Sequence, residues 1–289
     1  MSRDNLAWQS KLILLLVLPV VGCGLVLETS DWLSIAPIVV FWTLGLSAAL
    51  SVLTLVLRAA RPLAAATGAA ITAQLMYATA ATHFHAWRTF MVPVLAVSLL
   101  AFAATHVGRA KKEKLGIAEA GHGRSAAQVA ANLGAAALIS TSLFQSWAVN
   151  SRWLPHSTTA LLVAALAAMA EAAADTVSSE IGQVLGGRPR MITTLRSVDP
   201  GIDGGITLIG SFAGIAAAAI VAALGSFAVY GDVRFFLFSI AGAVLGLFFD
   251  SLLGATLERR GWLNNDAVNF LSTISASAFT LIVIAIRLR

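Results

Sequence analysis

Apolar residues run along this chain in long stretches, near positions 12–27, 33–57, 63–81, 90–107, 126–149, 157–185, 206–230, 234–257 and 267–286. A helix rising 1.5 Å per residue needs about 20 apolar residues to cross ~30 Å of hydrocarbon. Most of the stretches are that long, so the pattern predicts about nine transmembrane helices. A closed barrel would show short segments of alternating hydrophobicity, whereas these runs are continuous and rich in Ala and Leu. The expected fold class is all-α: a polytopic membrane helical bundle, with residues 1–289 forming a single transmembrane domain.

The polar positions gather in three gaps, 108–125, 186–205 and 258–266. With the N-terminus in the cytoplasm, Arg3, Lys11, Arg58, Arg61, Arg109, Lys111, Lys112, Lys114, Arg124, Arg188, Arg190, Arg196, Arg259 and Arg260 all fall on the cytoplasmic side. The opposite side keeps Arg88, Arg152, Arg234, Arg287 and Arg289. That asymmetry predicts an N-in, C-out orientation, with all three polar gaps on the side where nucleotides are found.

Composition sharpens this picture. The chain is 58% hydrophobic and 11% charged over 289 residues, far from an ordinary soluble domain. Its formal charge of +5 follows from topology and attraction to anionic lipid heads, and does not call for nucleic acid. The N-terminus lacks an Arg- and Ser-rich transit leader, which points to a bacterial inner membrane with the active site facing the cytoplasm. Cys23 is the sole cysteine, which excludes an internal disulfide and a thiolate metal cluster. It is expected as a small packing residue, although Val20-Val21-Gly22-Cys23 also loosely matches a lipoprotein box. His83 and His85 are close in sequence without an acidic neighbour, and read as interfacial packing. Neither a nucleophile elbow nor a Walker-type lysine loop is present.

Acids inside apolar runs carry the chemistry. Glu171, Asp175 and Ser179 follow at i, i+4 spacing and share a helix face, with Ser178 and Gly182 beside them. A carboxylate in hydrocarbon costs at least a few kcal/mol, so it normally faces water, a cation or a counter-charge. The eighth run repeats the design in Gly242, Gly246, Asp250, Gly254 and Glu258. If the two striped faces meet, Asp175 and Asp250 converge and can hold one or two Mg²⁺ ions. The bland alternative is a packing stripe with an acid hydrogen-bonded across it. Between these runs lie Gly186-Gly187-Arg188-Pro189-Arg190, Thr193-Thr194-Leu195-Arg196 and Pro200-Gly201-Ile202-Asp203-Gly204-Gly205. Glycine backbone N–H groups, arginines and threonine hydroxyls suit phosphate oxygens. A basic loop beside a membrane helix also follows from topology alone.

The segment from Ala174 to Gly214, with Asp250-Ser251-Leu252-Leu253-Gly254-Ala255 and Gly261-Trp262-Leu263-Asn264-Asn265-Asp266-Ala267-Val268-Asn269-Phe270, resembles the integral-membrane family that contains phytyl-phosphate kinases. The resemblance covers about residues 105–285, the expected catalytic core. It implies phosphoryl transfer from CTP or ATP to a phytyl or geranylgeranyl-type monophosphate, giving the diphosphate. A remoter similarity links the order of these elements to dolichol kinases and CTP-dependent cytidylyltransferases. The cytidylyltransferases carry a Lys-Asp element where this chain has Arg259, Arg260 and Asn264-Asn265-Asp266, which weakens that alternative. Ile202 stands where the closer family usually has Thr, and Thr207 where Ser is common. Lys112, Lys114, Gly121, Gly123, Arg124, Gln128 and Asn132 echo the family's basic segment and helix start.

In the mechanism expected on these grounds, Asp175 and Asp250 hold Mg²⁺, with Glu180 or Asp266 assisting. Arg190, Thr193, Thr194, Arg196, Gly201, Asp203, Gly204 and Gly205 bind the triphosphate, and Asn264, Asn265 and Asn269 orient the acceptor phosphate or the base. The isoprenoid tail lies among membrane lipids between helices. An ion-coupled transporter is the alternative from another class, since intramembrane acids and glycine-broken helices also mark carriers.

Overall fold

Each of the nine apolar runs folds as helix. The computed structural model describes residues 6–116, 123–151 and 157–287. Arg3, Gly121, Arg152 and Arg289 lie outside the described residues. In chain order the helices are α1 (Ala7–Ile35), α2 (Pro37–Val56), α3 (Pro62–Tyr77), α4 (Met91–His106), α5 (Arg109–Leu115), α6 (Ala126–Ser140), α7 (Ser142–Asn150), α8 (Thr158–Leu185), α9 (Leu208–Val229), α10 (Val233–Leu253) and α11 (Asn265–Arg287). A two-residue hairpin, β1 (Arg190–Met191) against β2 (Gly205–Ile206), is antiparallel and forms the base of the loop between α8 and α9.

The expected count of nine spans is not what these helices support. Among the described residues six are long and apolar enough to cross a membrane, or seven if α6 and α7 are one span bent by 58°. Helices α3 and α4 have 16 residues each, about 24 Å at 1.5 Å per residue, short of a ~30 Å core. Composition marks them as apolar because they are walled in by other helices; α3 is buried continuously from Ile71 to Tyr77.

Helix α8 is the hub. Ninety-four per cent of its most apolar window is buried, against 28% for α1 and 22% for α2, which turn Leu15, Val26, Phe41 and Val56 outward. It packs against α4, α6, α9, α10 and α11. The Ala-rich run from Ala164 to Ala174 makes this possible, because small side chains let several helices approach one. The contact with α9 is backbone to backbone. A Cβ on Gly214 would sit 2.7 Å from the Ala174 carbonyl oxygen, and one on Gly210 would sit 2.6 Å from that of Ser178. Helix α11 adds buried hydroxyls: Ser277 donates to Ala164 O at 2.9 Å and Thr273 to Ala131 O at 3.4 Å.

Caps set the boundaries. Ser125 and Gln128 form a capping box at the start of α6. The Thr207 hydroxyl accepts from Gly210 N at 3.0 Å, so the hydroxyl kept at that position caps α9. At the α6–α7 break, Glu28 of α1 accepts from Ser142 N at 2.8 Å and from Gln74 Nε2 at 2.9 Å. That carboxylate satisfies amide donors that the break leaves open. Cys23 points outward from the continuous helix α1 and is not an internal packing residue.

Candidate active site

Two helices running in the same direction bring the acids together. On α10, Gly246 lies against Glu171 of α8; a Cβ there would meet Glu171 Cγ at 2.7 Å and Ala276 Cβ of α11 at 2.8 Å. One turn further along both helices, the carboxyl groups of Asp175 and Asp250 come within hydrogen-bonding reach of each other. Glu171 lies close enough to both for its charge to act on them. Ser272 of α11 faces Glu171 and Asp250, and its hydroxyl donates to Asn269 O at 2.9 Å. Glu171 Oε1 and Asp250 Oδ2 are buried and have no hydrogen-bond partner among the described residues.

Adjacent carboxylates repel, and the repulsion grows as water is excluded. Arg124, just before α6, is a cation whose charge reaches Asp175. Among the described residues, no group of three or more His, Cys, Asp or Glu is arranged to hold a metal by itself. Magnesium typically takes one or two carboxylates and completes its shell with phosphate and water. The Asp175–Asp250 pair, with the unpartnered Oδ2 of Asp250, fits that donor set.

The loop that follows α8 is docked on the end of α10. Gly204 has φ +77° and packs so closely on Ala255 that no side chain fits there, while a Cβ on Gly254 would meet Gly204 N at 2.9 Å. The strand at Arg190 continues into a tight turn in which Met191 N donates to Arg196 O at 2.9 Å and Ile192 N to Gly204 O at 3.0 Å. Leu195, at φ +56°, closes the turn, and Arg190 donates to its carbonyl at 3.2 Å. Thr193, Thr194, Arg196 and Gly201 are exposed on this loop, and Asp203 is half-buried against α10.

The remaining expected residues divide. Glu180 does not join the acid pair as an isolated charge; it is ion-paired with the buried ammonium of Lys112, which also donates to Ala104 O and Thr105 O at 3.1 Å. Asn269 reaches the site through Ser272, and its Nδ2 donates to Asn132 Oδ1 of α6. Asn264 is committed elsewhere. Its Oδ1 accepts from Ala267 N at 2.9 Å as a cap, and its Nδ2 donates to Leu6 O and Ser10 Oγ. Asp266 accepts from Ser10 Oγ at 2.6 Å, so both residues tie α11 to the start of α1. Asn265 is exposed at the same helix start. Ser272, Lys112 and Arg124 are members of the site that the acid pattern alone misses. The signal for Ser272 is the small-polar stripe Asn269, Ser272, Thr273, Ala276, Ser277 and Thr280 along α11.

Residues 46–277 match the family described as integral membrane protein DUF92, so the match begins in α2, well before residue 105. An uncharacterized membrane protein of Methanocaldococcus jannaschii is 41% identical over 113 residues, covering 39% of this chain and 47% of that one. One from Synechocystis is 30% identical over 206 residues, covering 68% and 73%. The chloroplastic protein VTE6 of Arabidopsis thaliana is 27% identical over 195 residues, covering 64% and 57%. The matched stretch thus spans about half the length of the archaeal relative. No solved structure matches the chain.

Proposed function

The chain belongs to the integral membrane protein family DUF92, and on that footing we propose that it phosphorylates an isoprenoid monophosphate of phytyl or geranylgeranyl type, using CTP or ATP. The observation that carries this reading is the Asp175–Asp250 carboxyl pair in the membrane, beside a loop of glycines, arginines and threonines docked on the same helix end. The resemblance to phytyl-phosphate kinases and the match to VTE6 support it.

The step is an in-line displacement. An anionic oxygen of the lipid phosphate attacks the γ-phosphorus of the nucleotide; the bond from that phosphorus to the β,γ-bridging oxygen breaks, and the nucleoside diphosphate leaves. The attacking oxygen is already deprotonated, so no general base is needed. Arg190, Arg196, Thr193, Thr194 and the backbone of Gly201, Asp203 and Gly204 would donate to the triphosphate, while Gly205 N donates to Ile202 O and holds the loop in shape. Asp175 and Asp250 are the residues that would hold Mg²⁺, which would supply charge neutralisation for the phosphate oxygens. Lys112 keeps Glu180 neutralised at the cavity edge. In this reading the site faces the cytoplasm of a bacterial inner membrane.

The test is to incubate the purified protein with Mg²⁺, CTP or ATP and geranylgeranyl monophosphate, and to identify the lipid product by mass spectrometry. The reading expects the lipid diphosphate and a nucleoside diphosphate. A lipid carrying CMP, with pyrophosphate released, would instead make the chain a cytidylyltransferase.

A further inference from the structure

A cavity of about 430 Å³ opens between α2, α3, α4, α6 and α8, within the range of small-molecule pockets. Its inner wall is apolar, formed by Leu50, Gly68, Ala69, Val97 and Leu133. Its other end is cationic, where Arg58, His106, Arg109, Lys112 and Arg124 gather. Most of these have partners: Lys112 pairs with Glu180, Arg109 with Glu113 at 2.9 Å, and His106 bonds Phe102 O at 2.7 Å. The guanidinium groups of Arg58 and Arg124 make no ion pair or hydrogen bond among the described residues.

Those two arginines are placed by backbone. Arg61 N donates to Arg124 O at 3.0 Å and Arg124 N to Ala59 O at 2.9 Å, stitching the α2–α3 turn to the segment entering α6. Gly123 permits the crossing, with φ +71° and room for no Cβ, since one would lie 2.8 Å from Arg58 O. Arg124 also acts on Asp175, and Asn132 of the cavity wall is bonded to Asn269 beside the acid pair. The cationic end therefore adjoins the carboxyl level.

Resting on the kinase reading above, we propose that this cavity is the acceptor site: it encloses the isoprenoid chain of a lipid monophosphate while Arg58 and Arg124 take the phosphate. An apolar chamber with two unpaired guanidinium groups at one end is complementary to one long apolar tail with a dianionic head. Gly68 acts as a gauge of chain length. Its position facing Val129 of α6, 4.0 Å from where a Cβ would be, is open, and a larger side chain there fills the inner wall.

Native mass spectrometry of the full-length protein in detergent tests this without turnover, with geranylgeranyl monophosphate, geranylgeraniol, geranyl monophosphate and inorganic phosphate as probes. The wild type is expected to bind geranylgeranyl monophosphate at least about tenfold tighter than geranylgeraniol or inorganic phosphate. Gly68→Leu should weaken the long-chain monophosphate about tenfold and leave geranyl monophosphate unchanged. Arg58→Gln/Arg124→Gln should erase the preference for phosphate over alcohol, and reads the head-group contact even if the Gly68 variant does not fold. Equal binding of alcohol and monophosphate by the wild type, or a preference for phosphate that survives Arg58→Gln/Arg124→Gln, would overturn the proposal. This binding pattern in a protein that transfers no phosphoryl group would sink the kinase reading and keep the site. Lipid diphosphate formed by a protein indifferent to both substitutions would do the reverse.

Discussion

Asn269 of α11 donates from Nδ2 to Oδ1 of Asn132 on α6 at 3.1 Å, joining the carboxyl level to the cavity wall. Removing either amide leaves the other without its partner in a half-buried setting, at a cost of about 1–3 kcal/mol. Asn132→Ala and Asn269→Ala should each lower stability by that order, and the double variant by less than their sum. Denaturation of the four proteins in detergent forms the double-mutant cycle that measures the coupling.

Lys112 and Glu180 lie 68 residues apart in sequence and form the buried ion pair that fastens α5 to α8. Breaking such a pair from one side strands a charge and costs about 3 kcal/mol or more, whereas removing both is far milder. Lys112→Met should therefore unfold more readily than Lys112→Met/Glu180→Gln, as read by thermal denaturation. Equal stability of the two would show that the pair is solvated.

Gly214 on α9 faces the Ala174 carbonyl and Ser178 Cβ of α8 too closely for any side chain. Gly214→Ala forces the helices apart and should cost about 1–3 kcal/mol by overpacking. It also shifts Asp175, one residue along from Ala174, so turnover should fall more steeply than the folded fraction. Comparing activity per folded molecule with the denaturation midpoint checks this.

Asp175 and Asp250 repel each other when both are charged. Without divalent metal, Asp250→Asn should raise the thermal midpoint or leave it unchanged. Mg²⁺ with nucleotide should stabilise the wild type by preferential binding to the folded state, and this gain should vanish in the variant. Thermal melts across a Mg²⁺ titration, with an EDTA control, supply the measurement.

Much of this arrangement is legible in the residue order. The i, i+4 spacing of Glu171 and Asp175 and the four-residue glycine stripe around Asp250 predict two faces that can meet, and α8 and α10 meet along them. Apolar runs predict helices but not their length: α3 and α4 owe their apolar character to burial, and at 16 residues each fall short of a ~30 Å core. The Ser140-Thr141-Ser142 trio is a faint sign of the α6–α7 break, where Thr141 caps α7 and Glu28, over a hundred residues away, accepts from Ser142 N. The same holds for Asn264 and Lys112. Spacing suggests a ligand in the first and topology in the second, while their partners, Ser10 and Glu180, come from distant helices that sequence proximity does not reveal.

The most direct measurement is transfer of the γ-phosphate of labelled CTP or ATP to geranylgeranyl monophosphate, comparing the wild type with Asp175→Asn in protein of matched fold. Mg²⁺-dependent label is expected in the lipid diphosphate, lowered by at least about a hundredfold in the variant, on the order of 3 kcal/mol of transition-state stabilisation. Label transferred equally by both proteins, or by neither with any nucleotide, would contradict it.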